Sequence, residues 1–187
     1  MKNLTVYTLE QVDHLIQPAE FLDANLNSPA LSIFNDFRIN HPMLIDADTR
    51  AFDTEEMMRH ERSWFKLVID EQQEMVGILS HEHFSSQSLM QHVSKSVKAK
   101  DLLVSDLMRP RSEIMGLSYQ QIQHSTVGDV LNTLQKAGEA YCMVIDRENH
   151  QIRGIISARD ITNRLHIAPV KIEKSPALLN LFDRQYA

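Results

Sequence analysis

The chain has 187 residues, 43% of them hydrophobic and 24% charged, which suits one compact domain or two very small ones. Its one cysteine, Cys142, excludes an intrachain disulfide framework and a four-thiolate zinc site and fits a reducing compartment, so a cytoplasmic location is expected. The net charge of −6 argues against nucleic acid as the partner. No stretch approaches the roughly 20 apolar residues of a membrane span, so no membrane insertion is expected, and Met1 to Leu9 lacks a signal-peptide core.

The charge is uneven. Residues 1–92 hold 6 basic and 15 acidic groups, residues 93–187 hold 13 and 10, so an anionic small ligand would favour the second half. In chain order, residues 1–28 form an extension in which Leu9, Val12, Leu15 and Ile16 recur at helical spacing. A first unit follows at 29–92. Its first strand is expected at Met43 to Ile45, and its first helix starts between Thr49 and Thr54, with only Phe52, Met57 and Met58 as apolar markers. Lys66 to Asp70 and Met75 to Ser80 are apolar runs around a polar turn, which reads as a β-hairpin. A last helix is expected from His81 to about Met90.

Residues 93–103 link to a second unit at 104–170, and 171–187 form a tail. Val104 to Met108 reads as a helical turn ended by Pro110, and Tyr119 to Gln123 as a short strand. Thr126 and Asp129 make a capping-box-like start for a helix carrying Val127, Val130, Leu131, Leu134 and Ala137, stopped by Gly138. Cys142 to Asp146 and Ile152 to Ser157 form a second hairpin, and Ser157 caps a final helix through Leu165, limited by Pro169.

The two hairpins repeat: Val68 matches Val144, and Gly77-Ile78-Leu79-Ser80 matches Gly154-Ile155-Ile156-Ser157. The expected fold is α+β (α/β-like), two βαββα units related by a pseudo-twofold axis, because one unit of this size can hardly close a core alone.

The second copy, with Asp106-Leu107-Met108, Ser125-Thr126-Val127, Met143-Val144-Ile145-Asp146 and Gly154-Ile155-Ile156-Ser157-Ala158-Arg159-Asp160-Ile161, resembles the CBS (cystathionine-β-synthase) domain, which occurs in tandem as a Bateman module. The resemblance spans roughly residues 29–170. Met108-Arg109-Pro110-Arg111-Ser112-Glu113-Ile114 also resembles the CBS lead-in of CorC-type proteins. The family implies a regulatory module rather than an enzyme. It would bind an adenosine compound (AMP, ADP, ATP or S-adenosylmethionine) in the cleft between its units, dimerise, and signal to an effector protein.

The residues suit that chemistry. Ser157 offers a hydroxyl, Arg159 a guanidinium fitted to phosphate, and Asp160 a carboxylate able to accept from a ribose diol. Ser157-x-x-Asp160 is equally a plain helix cap. Met115, Ile122, Tyr141 and Ile155 are candidate apolar walls for adenine, or simple core. The first copy offers a weaker second site at Ser80 and His83, because His83 replaces the aspartate and Glu82 replaces Arg159. No covalent cofactor and no metal site is expected. His81, His83 and His92 read as solvated side chains and Cys142 as buried structure. A ligand-free structural or dimerisation module is the alternative.

Overall fold

The computed structural model describes residues 24–92 and 99–167, together with Thr8. The marker residues of the N-terminal extension, Pro169 and the tail lie outside the described residues. Two four-stranded sheets make up the fold. One has the order β2 (Leu44–Asp46), β3 (Phe65–Ile69), β4 (Met75–Ser80), β5 (Arg109–Pro110), and the other β1 (Asn35–Asp36), β8 (Gln151–Ser157), β7 (Tyr141–Asp146), β6 (Gly116–Ser118).

In the first unit, β2 (Leu44–Asp46) runs parallel to β3 (Phe65–Ile69), and α1 (Ala51–His60) connects them. The hairpin β3–β4 (Met75–Ser80) follows, with Val68 opposite Gly77. All five residues of β3 are buried: Phe65, Leu67, Val68 and Ile69 suit a strand covered on both faces, and the buried Lys66 pairs with Glu61. A 3₁₀ turn, His81–Phe84, leads into α2 (Ser86–His92), where the sequence predicts one continuous helix.

The second unit repeats the plan. β6 (Gly116–Ser118) is parallel to β7 (Tyr141–Asp146), which forms a hairpin with β8 (Gln151–Ser157) and leads into α6 (Ala158–Arg164). Tyr119–Gln123 is not a strand but a short helix, α4, because Ser118 accepts from the Gln121 N–H and Gln121 reaches back to the Ser118 N–H. The strand lies just before it. α5 (Val127–Ala137) starts at the Thr126–Asp129 capping box and ends at Gly138, whose φ of 68° is the left-handed stop that glycine adopts without strain.

The two lead-in segments exchange partners. α3 (Val104–Leu107) and β5 (Arg109–Pro110) precede the second unit, yet β5 pairs with β4 of the first, Pro110 opposite Gly77. The 3₁₀ turn Ala30–Ile33 and β1 (Asn35–Asp36) precede the first unit, yet β1 pairs with β8, Asp36 opposite Gly154. The backbone bonds match as well. Ala30 N–H donates to Ser125 O and Val104 N–H to Thr49 O, while Val127 N–H donates to Ser28 O and Ala51 N–H to Leu102 O.

The repeated glycines make this exchange possible. A Cβ on Gly77 would lie 2.6 Å from Arg109 O, and one on Gly154 would lie 2.2 Å from Asn35 O. The glycine shared by the two copies is therefore a crossing point for backbone.

Each unit has its own core beneath its helices, and a third cluster joins the sheets face to face. In that cluster Phe65, Leu67, Met75 and Ile78 meet Tyr141, Met143 and Ile155. The seam between the units is thus an apolar sandwich with an opening at the ends of β4 and β8.

Candidate ligand-binding cleft

Both strand-to-helix junctions open on one cleft of about 590 Å³. The first unit contributes Trp64, Ser80 and His81 to His83; the second contributes Glu139 to Tyr141, Ala158, Arg159 and Thr162; Arg109 comes from the crossing strand β5. The junctions are built alike, with His81 N–H donating to Trp64 O and Ala158 N–H to Ala140 O.

At the second junction, Ser157 is fully buried and closes a cap. Its Oγ accepts from Asp160 N–H at 3.0 Å and donates to Asp160 Oδ2 at 2.6 Å. Neither Ser157 nor Asp160 is among the cleft-lining residues. Arg159, between them, is exposed on the cleft and makes no ion pair among the described residues. At the first junction, His83 Nδ1 accepts from Ser80 N–H at 3.0 Å, so this imidazole keeps an unprotonated Nδ1 and caps its own turn. Ser80 and His83 both line the cleft.

Among the predicted adenine walls only Tyr141 is in the cleft. Ile122 is 1% exposed under α5, and Ile155 is sealed between the sheets. Met115 is half exposed and lines a separate depression of about 280 Å³ near His150.

The dominant charged feature escaped sequence reasoning. Arg109 binds Glu139 with both ends, Nη1 donating to Oε2 at 2.5 Å and Nη2 to Oε1 at 2.7 Å, and Nη2 also donates to Glu113 O. Its guanidinium carbon sits 5.9 Å from the Tyr141 ring centroid. The bonds to Glu139 raise the Arg109 pKa further, against the effect of burial. Burial pushes the Tyr141 phenol up, the nearby guanidinium pulling the other way. The Tyr141 hydroxyl has no hydrogen-bond partner among the described residues.

Trp64 was missed too. It precedes β3 where Ala140 precedes β7, a difference that aligning the two copies would expose. The Arg109–Glu139 pair also borders a neighbouring cleft of about 420 Å³ that shares His83 and Gly138.

Cys142 is 3% exposed, and burial, with Glu139 adding to it, pushes its thiol up to about 12. Among the described residues no three His, Cys, Asp or Glu side chains come together, and no helix is long and apolar enough to cross a membrane.

A duplicated βαββα plan, exchanged lead-in strands and a cleft at the seam give the chain the fold of a CBS-domain pair. Residues 123–167 match the family model of the CBS domain. A conserved CBS domain protein of unknown function from Thermoplasma acidophilum is 20% identical over 70% of this chain and 68% of its own, with a TM-score of 0.50. CBSX2 in complex with AMP is 17% identical over 73% of this chain and 94% of its own, with a TM-score of 0.51. The CBS domain of a bacterial CNNM/CorC family Mg2+ transporter in complex with ATP is 14% identical over 75% and 89%, also at 0.51. No curated protein matches the chain.

Proposed function

We propose that this chain is a regulatory module that binds an adenine nucleotide in the seam cleft and passes the event to a partner protein, without catalysis of its own. One observation carries the reading: both strand-to-helix junctions converge on one opening that holds a guanidinium, Arg159, with no ion pair among the described residues. The opening has the volume range of ligand sites, about 300–1,000 Å³. Two structures of the same fold, named above, hold AMP and ATP.

In this reading Arg159 takes phosphate, while Tyr141, Ser80 and His83 face the ligand. Ser157 and Asp160 engage only if the ligand opens their cap, since each already satisfies the other. Occupancy biases the packing of the two units, or of two chains in a homodimer, and the effector reads that bias.

A thermal-shift panel of AMP, ADP, ATP and S-adenosylmethionine tests this. A ligand at 100 times its Kd should add about 2.7 kcal/mol of stability, and Arg159→Ala should reduce the response. The closed Ser157–Asp160 cap favours a second reading, a ligand-free interaction module, for which no compound moves the melting temperature.

A further inference from the structure

We propose that the cleft is built for a nucleoside monophosphate, its base laid against Trp64 and its phosphate on Arg159. This rests on the nucleotide reading above and adds an orientation and a phosphate count to it.

The orientation follows from the broken symmetry of the walls. Trp64 lines the cleft partly exposed, and its ring is backed by Phe65 at 4.5 Å and Tyr141 at 5.9 Å between centroids. That is a fixed aromatic face, and any purine offers a π-face to it. The equivalent place in the second unit is Ala140, which has no ring. Only the Trp64 side can stack a base. Beside it, the Tyr141 ring, 6% exposed, extends the same aromatic wall.

The phosphate count follows from the charges. Two arginines line the cleft, but Arg109 is held bidentate by Glu139. Only Arg159 is uncommitted among the described residues. Glu139 is matched by Arg109, Glu82 adds negative charge to the same lining, and His83 presents Nδ1 as an acceptor to its own turn. One phosphate finds one guanidinium; each further phosphate finds no second uncommitted cation among the described residues of the lining and meets Glu82 instead.

Trp64 is the sole tryptophan, so its emission reports on its own site. The full chain is titrated with AMP, ATP, adenosine and ribose 5-phosphate, by calorimetry and by tryptophan fluorescence. AMP should bind about tenfold tighter than ATP and change the Trp64 emission. Trp64→Leu should lose about tenfold for AMP and leave ribose 5-phosphate unchanged, while Trp64→Phe keeps most of the affinity. Arg159→Ala should lose about tenfold for AMP and leave adenosine unchanged. AMP binding by calorimetry with silent Trp64 emission, or ATP binding as tightly as AMP, overturns the inference while the nucleotide reading stands. Calorimetric silence towards all four compounds removes both.

Discussion

Arg109 and Glu139 fasten the crossing strand of one unit to the strand start of the other, so cutting this pair should loosen the seam. The two side chains are 23% and 16% exposed, which places them between a surface pair and a buried one. Removing one partner of a fully buried pair costs roughly 3–5 kcal/mol, because the other charge is stranded; a surface pair is worth roughly 0–1. Arg109→Met should therefore cost about 2 kcal/mol, including the lost contact over Tyr141 and the lost bond to Glu113 O. In a chain of this size that is a fall in Tm of about 4–8 °C. Glu139→Gln alone strands the guanidinium more mildly, since the amide still accepts. The double variant should lose less than the sum of the two single losses, with a coupling of about 1–2 kcal/mol in a double-mutant cycle. Because the pair is mostly shielded, the coupling should persist in about 1 M salt, where the Debye length is about 3 Å. Strict additivity, or a coupling that salt abolishes, would show that the pair is an ornament of the surface and that the seam is held by Phe65, Tyr141 and their neighbours alone.

The glycine crossings give a second expectation. Gly154→Ala puts a Cβ against Asn35 O and the Phe34 ring, both within 2.4 Å, and should cost about 2 kcal/mol in urea unfolding. Gly116→Ala meets only the flexible end of Ile145 and should cost under about 1; equal losses would contradict the crossing argument. Acid sensitivity gives a third. Burial alone would raise the Asp36 carboxyl, but the Arg153 hydrogen bond and the Arg38 N–H outweigh it and hold it below the usual carboxylate range. A carboxylate depressed on folding contributes stability above its unfolded pKa of about 3.9 and loses it as pH falls through the folded value. Asp36→Asn should thus be less stable than wild type at pH 7, with the gap closing on acidification. Urea midpoints at pH 7, 5 and 3 measure it, and a pH-independent gap would refute the assignment.

The second unit was readable because its signals are local. Thr126, Asp129 and Gly138 write the limits of α5 within one stretch of chain. The first unit hides its helix start because Arg50 supplies no side-chain cap; the Ala51 N–H is satisfied by Leu102 O, some fifty residues away. Tyr119 misled for the opposite reason. A β-forming residue stands where a Ser118–Gln121 box imposes a helix, and the box outweighs propensity. The lead-in exchange was illegible because β1 and β5 are two residues long, and their anchors, Asp36 with Arg153 and Arg109 with Glu139, are 117 and 30 residues apart. In the cleft, Arg159, Tyr141, Ser80 and His83 were legible from the repeat. Trp64 and Glu139 carry no motif and come to line the cleft only because the seam brings them together.

The exchange also constrains how a ligand could act. Each sheet holds a strand delivered from the other side, so the units cannot slide apart without unpairing β1 from β8 and β5 from β4. A ligand shifts an equilibrium only by its differential affinity for two states. Here those states would differ in the contacts of groups that line the cleft, the Arg109–Glu139 pair and the His81–Phe84 turn among them. Both border the neighbouring cleft through Arg109, Glu139 and His83. A signal from the seam would therefore leave through β5, the strand that already joins one unit's sheet to the other unit's chain.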